Sequence, residues 1–282
     1  MAGLRATRRP GAGVHLTALL VLATLGGGCA RPASEQDPPP APTPTAAPTA
    51  GPAPDLVVLT DVDPRIRADI RYATAHNFVG RPVAGYAEPL CLLTRPAAAA
   101  LRRAQDAALA RDRGLKVYDC YRPRRAVEDF VAWGRRPGEE QTKGEFYPRV
   151  PKSELFDRGY LGAPTAHSRG STVDLTLVDV PTPEQPAYDP ARPLVPCTAP
   201  RARRFPDNSV DMGTGFDCFD PLAHTDSPAV DATARANRDL LREVMTGAGF
   251  VNYDREWWHY RYRDEPYPDT YFDVPVARAS AR

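Results

Sequence analysis

The run Ser171-Thr-Val-Asp-Leu-Thr-Leu-Val178 constrains the fold of this chain more than any other stretch. Val173, Leu175 and Leu177 alternate with Asp174, Thr176 and Val178, a period of two that suits a strand and that no helix sorts onto one face. It predicts a half-buried strand from about Ser171 to Val178, with Asp174 on the face opposite the core residues. Upstream, Thr165-Ala-His-Ser-Arg-Gly170 reads as a loop with a glycine turn, delivering His167 to an aspartate seven positions later. The fold must therefore build a sheet around a strand that brings an imidazole and a carboxylate together.

Only part of the 282 residues can do so. Residues 1–29 begin with Arg5, Arg8 and Arg9, continue in an apolar run from His15 to Leu25, and end in Gly26-Gly-Gly-Cys29. The run is too short to span a bilayer comfortably and reads as an export signal, with Cys29 resembling the lipidated cysteine of a bacterial lipoprotein. Residues 30–55 are rich in Pro, Ala and Thr, a composition that favours extended polyproline conformations and cannot bury a core, so they form a tether. Residues 56–282 fit one domain. With 36 basic and 35 acidic side chains, the chain gives no electrostatic case for nucleic acid. Apart from Cys29 there are four cysteines, an even number in an exported chain, which favours disulfides. Of the three possible pairings we expect Cys91–Cys120 and Cys197–Cys218, the second closing a loop rich in Pro and Arg.

Leu56-Val-Val-Leu-Thr60 suits a first strand. Thr94 is placed to cap a helix with Pro96 near its start and Ala97, Leu101, Ala104 and Ala108 on one stripe, ended by Gly114. Leu115–Tyr121 reads as a strand ending at Arg122-Pro123, and the proline keeps Arg122 out of helical geometry. A second helix is expected over about 124–133, and a long Pro-rich insertion over roughly 180–228. A third helix fits between Asp231 and Gly249, with Ala236, Leu240, Leu241, Val244, Met245 and Ala248 as its apolar face. Phe250–Tyr262 is aromatic and extended, one or two strands. Together these imply an α+β domain with a central, mainly antiparallel sheet and flanking helices.

Four histidines lie in the domain, and a lone histidine is more often a packed or surface residue than a ligand. His167 and His259 stand out because each has a carboxylate close in sequence, in a strand-like context; His76 and His224 do not and read as structural. Two imidazoles and one carboxylate can hold zinc with one position open, and a spare glutamate can take a proton from bound water. Yet Glu256 and His259 are three residues apart and would face opposite ways in an ideal strand. They converge only if a bulge or strand end bends the backbone. Otherwise Trp257, Trp258 and Tyr260 are plain core aromatics and Glu256 a surface ion-pair partner.

The ordered blocks decide between these readings. Asp69-Ile-Arg-Tyr-Ala-Thr74 with Asn77-Phe78, Asp119-Cys-Tyr-Arg-Pro123, His167 through Leu177, Asp211-Met-Gly-Thr-Gly-Phe-Asp217 and Glu256-Trp-Trp-His259 resemble, in order, the blocks of the zinc D-alanyl-D-alanine dipeptidases of the VanX type. The resemblance covers about residues 56–265. It implies one zinc per chain on His167, Asp174 and His259, Glu256 as catalytic base, and Arg122 as the donor that stabilises the transition state. For the free ammonium of a dipeptide it implies Asp217 first and Asp211 second, with Thr165 assisting where the family often has Ser; Tyr86 would wall the pocket. The 180–228 insertion and the four cysteines depart from the short cytoplasmic resistance enzymes. The activity expected is hydrolysis of D-Ala-D-Ala to D-alanine, and export points to cell-wall turnover or salvage. The alternatives are a D,D-carboxypeptidase on longer muropeptides and a tethered protein that binds D-Ala termini without cleaving them. No protein partner is expected, and a lipidated Cys29 would make the membrane attachment.

Overall fold

The computed structural model describes residues 54–282, so the expected export signal, Cys29 and nearly all of the tether lie outside the described residues. In chain order the elements are β1 (Leu56–Val58), α1 (Leu59–Val62), β2 (Arg67–Ala68), β3 (Leu92–Thr94), α2 (Arg95–Leu109) and β4 (Arg113–Asp119). They continue with α3 (Arg124–Gly134), α4 (Lys143–Phe146), β5 (Thr172–Asp179), α5 (Ala232–Gly247), β6 (Phe250–Asn252) and β7 (His259–Tyr262). The main sheet runs β2-β4-β5-β7-β6, antiparallel except for the β2–β4 edge, and β1 and β3 form a separate antiparallel pair. This is the α+β architecture the sequence implies.

The alternation around Asp174 does place β5 in the centre of the sheet. Val173, Leu175 and Leu177 join Leu115 and Val117 of β4 across the register and are fully buried. Helices α2 and α5 pack together and against this sheet, α2 burying the alanine stripe Ala97, Leu101, Ala104 and Ala108. Burying each larger apolar side chain of this layer contributes roughly 1.5–3 kcal/mol.

Several local expectations are corrected. β5 is not half-buried, because the insertion covers its second face, where Ser209 Oγ lies 2.6 Å from Thr176 Oγ1, and also pairs along its edge, where the Val210 N–H donates to the Leu177 carbonyl at 2.9 Å. Leu56–Thr60 is a strand only as far as Val58; the chain then turns into α1, where Asp63 N–H closes onto the Leu59 carbonyl just before Pro64. Thr94 precedes α2, but its hydroxyl pairs with Ser171 Oγ at 2.7 Å and makes no cap bond to the helix. That helix stops at Leu109, and Gly114 lies inside β4. On α5, Ala236 is exposed, and Ala234 and Arg238 take the inner face with Leu241, Val244 and Met245. Buried Arg238 is satisfied by donating to the Met212, Leu222 and His224 carbonyls at 2.6–3.0 Å.

The insertion has no long element, yet it is tied down. Asp207 accepts from Arg71 at 2.6 Å, from the Tyr118 hydroxyl at 2.8 Å and from Lys116, all three buried under it. Lys116 also donates to Gln185 and Asn208 at 2.9 and 2.7 Å. Both expected disulfides, Cys91–Cys120 and Cys197–Cys218, are formed, with Cα atoms 5.2 and 5.5 Å apart.

Candidate active site

Register places the chemistry. Asp119 of β4 pairs with Asp174 of β5, and Asp174 pairs with His259 of β7, so three side chains from distant parts of the chain form one row across adjacent strands. A register shift between Val117 and Asp119 turns Asp119 into that row. His167 arrives from a short 3₁₀ turn, Ala166–Arg169, whose start is capped by Thr165 and whose end is Gly170 at φ +80°, a conformation glycine adopts freely.

His167 Nδ1 lies 2.7 Å from the Cys120 carbonyl, which can only accept, so Nδ1 carries the proton and Nε2 presents a lone pair. That Nε2 is 3.3 Å from Asp174 Oδ1 and 3.2 Å from His259 Nδ1, and His259 Nδ1 is 3.1 Å from the same oxygen. Asp174 Oδ1 is buried and takes no hydrogen bond. Three donor atoms crowd around a point none of them fills, one of them an orphaned carboxylate oxygen. This set fits a metal ion held by two neutral imidazoles and a carboxylate. Burial lowers His259, which keeps it in the neutral form a ligand needs.

Glu256 and His259 converge because Glu256 lies in the turn between β6 and β7 and His259 is the first residue of β7. Asn252 Nδ2 donates to the backbone carbonyls of both at 3.0 Å, and Glu256 Oε2 comes within 3.6 Å of His259 Nδ1. Trp257 anchors the turn by donating its Nε1–H to Thr214 Oγ1 at 2.8 Å. The strand end anticipated from the spacing is what bends the backbone here.

Arg122 follows β4 and is held by Asp119, which accepts from its Nε at 2.9 Å and its terminal nitrogen at 2.8 Å. Its guanidinium carbon sits 4.9 Å from the Tyr72 ring centroid, a cation–π contact that fixes the plane of the fork. Asp119 also accepts from Tyr86 at 2.6 Å.

A cavity of about 570 Å³ opens over these groups. His167, Asp174, His259, Glu256, Arg122, Asp217 and Thr165 all line it. Asp217 is buried at φ +54° and accepts from the Tyr72 hydroxyl at 2.9 Å. Two residues named from sequence lie elsewhere. Asp211 does not line the cavity; its carboxylate accepts from Arg204 at 2.5 Å. Tyr86 does not line it either and acts behind Arg122 through Asp119. His76 pairs with Glu145 at 2.9 Å and stacks on Tyr188, away from the row. Sequence reasoning gave no role to Asp119, Tyr72 or Asn252. The first two sit inside quoted blocks, and Asp119 lies three residues before Arg122, a spacing that could have flagged it.

The carboxylates strain one another electrostatically. Burial and then the Asp174 charge push Asp217 up to about 8. Burial, then Asp174 and Asp217, drive Glu256 well above the ordinary carboxylate range, with Arg122 pulling the other way. A divalent cation on the ligand set would offset this repulsion.

Two imidazoles and a carboxylate converging beside a buried glutamate and a fixed guanidinium define a metallopeptidase site. A family model described as D-ala-D-ala dipeptidase matches residues 53–183 and 205–277, and the chain belongs to that family. The stretch between the two matched segments, residues 184–204, lies within the insertion. A protein of Streptomyces coelicolor named D-alanyl-D-alanine dipeptidase is 41% identical over 223 residues, covering 79% of this chain and 98% of its own length. Its namesake in Enterococcus faecalis is 39% identical over 212 residues, 75% of this chain and 93% of the relative, and that in Escherichia coli is 29% identical over 206 residues, 73% and 83%.

Proposed function

We propose that the protein is a zinc-dependent dipeptidase that hydrolyses D-Ala-D-Ala to two molecules of D-alanine, outside the cytoplasm, in cell-wall turnover. The observation that carries the reading is the closure of His167 Nε2, Asp174 Oδ1 and His259 Nδ1 to within 3.1–3.3 Å around an otherwise unbonded oxygen. Zinc suits this donor set, because two neutral imidazoles and one carboxylate leave a fourth position open. When bound, the ion supplies Lewis-acid polarisation of the scissile carbonyl and an acidified water.

The chain's own residues do the rest. Glu256, beside His259, takes the proton from the attacking water and returns it to the leaving amine, a role worth about 10²–10⁴-fold in rate. Arg122, permanently charged and braced by Asp119, donates to the carbonyl oxygen as negative charge develops there. Asp217, oriented by Tyr72, receives the substrate ammonium, whose charge draws the carboxyl back toward its ionised form. Thr165 spends its side-chain oxygen capping the His167 turn and offers its hydroxyl to the same cavity. Two disulfides suit an oxidising compartment, which supports export. The lipid anchor at Cys29 rests on the leader sequence and is read directly from the mass of the mature amino terminus.

The test is D-alanine release from the D-Ala-D-Ala dipeptide and from a muropeptide pentapeptide, with and without a chelator, followed by zinc. Expected is dipeptide cleavage lost on chelation and restored by zinc. Cleavage of the pentapeptide alone would replace the reading with a D,D-carboxypeptidase, and zinc-loaded protein inert on both would leave a binding protein.

A further inference from the structure

Each disulfide ends beside a different half of the site. Strand pairing stops at Asp119, yet the next three residues carry the Cys120 carbonyl that receives His167 Nδ1 and the Arg122 guanidinium. Beyond the ladder, this stretch makes two backbone bonds among the described residues, Tyr121 N–H to the Leu92 carbonyl at 2.9 Å and Arg122 N–H to the His167 carbonyl at 3.3 Å. The second is to the very turn it must position. The first runs to β3, and the Cys91–Cys120 bond adds a covalent hold to the same place, just before β3, where the Cys91 carbonyl accepts from Leu59 N–H at 2.9 Å.

The Cys197–Cys218 bond does the same for Asp217. Asp217 lies in the left-handed region in a segment without a helix or strand. On one side of it Gly215 N–H donates to the Cys197 carbonyl at 2.9 Å; on the other, Cys218 carries the crosslink and Phe219 N–H donates to the Phe146 carbonyl at 2.8 Å. Cys197 N–H in turn donates to the Glu145 carbonyl at 2.9 Å, so the tie runs back to α4.

We infer that the two disulfides are positioning elements with separable duties: Cys91–Cys120 holds the metal ligand His167 and Arg122, and Cys197–Cys218 holds the substrate-recognition residue Asp217. The inference rests on the dipeptidase reading for its substrate half and on the ligand set alone for its metal half. Both crosslinks are buried, so their effect on the site is exerted through the backbone and not through contact with substrate.

The experiment compares C91A/C120A with C197A/C218A in the full chain, below the melting transition of each. Zinc affinity is read by competition with a chromophoric chelator, and kcat and KM with D-Ala-D-Ala. Removing Cys91–Cys120 is expected to weaken zinc binding by about 10–100-fold, the range for groups that orient a ligand, and to lower kcat with KM nearly unchanged. Removing Cys197–Cys218 is expected to raise KM by about tenfold or more while zinc affinity stays at the wild-type value. The same parameter moving by the same factor in both pairs, or only the melting temperature moving, overturns the inference. If C91A/C120A does not fold, C91V/C120A restores volume and is scored the same way. Wild-type protein that binds zinc but leaves the dipeptide intact would sink the proposed function, while the zinc comparison, which needs no substrate, would still decide the metal half.

Discussion

The Asp119–Asp174–His259 row and the 180–228 insertion meet on one face of the same sheet but are held in different ways. The row is set by backbone pairing, so each side chain inherits its place from strand register. The insertion has single backbone ties, such as Val210 to Leu177 and Phe219 to Phe146, but contributes none of β1–β7, and side chains supply the rest: Asp207 sits among Arg71, Lys116 and Tyr118, and one disulfide closes the loop. Ladder-held residues can change chemistry without moving, whereas a side-chain-held segment cannot lose an ion without loosening. Function and stability should therefore separate when the two regions are mutated.

The largest effect expected falls beside the ladder-held row, in the turn that leads into His259. Glu256→Gln should lower kcat by about 10²–10⁴-fold with metal content and melting temperature unchanged, read by turnover, metal analysis and thermal melts together. Loss of metal along with activity would mean that Glu256 is structural, and the contrast would break. Next comes the insertion. Asp207→Ala leaves Asp69, 2.9 Å from Arg71 and 3.7 Å from Lys116, to offset both of these cations, whose side chains are 4% and 3% exposed, and should cost about 3 kcal/mol of stability by denaturant titration. A loss below about 1 kcal/mol would show that the insertion is held by apolar packing instead.

Taken per pH unit, the smallest effect lies where the regions touch. In metal-free protein the Asp217 carboxyl sits near 8 against an ordinary 3.8, so the folded state keeps a proton that the unfolded chain releases. Its contribution to stability is full below pH 3.8 and is lost as pH rises toward about 8. Asp217→Asn should remove a slope of at most about 1.4 kcal/mol per pH unit in that window, and so stabilise the metal-free protein at its upper end. Parallel wild-type and variant stability curves would show that Asp217 is already ionised in the fold.

The same contrast explains what could be read from sequence. Asp174 was legible because strand periodicity is a local property, and the Glu256–His259 spacing was legible as a conflict that only a strand end resolves. The burial of Thr176 and Lys116 was not, because their polarity signals solvent unless a distant segment covers them. Asp211 and Asp217 share one glycine-containing loop, and nothing local says that the first pairs with Arg204 while the second turns into the cavity. Asn252 was invisible for the same reason: its work is done on two carbonyls four and seven residues away, across a turn the sequence does not draw.

That asparagine has a mechanical consequence. Its side-chain amide grips the backbone at Glu256 and at His259 at once, and its Oδ1 accepts from Thr225 at 2.6 Å. Glu256 and His259, the proposed proton acceptor and one proposed metal ligand, thus ride on one plate with two pins. A displacement of the β6 edge would carry both backbone segments together, so the spacing between the proposed base and the proposed ligand would change less than the position of either.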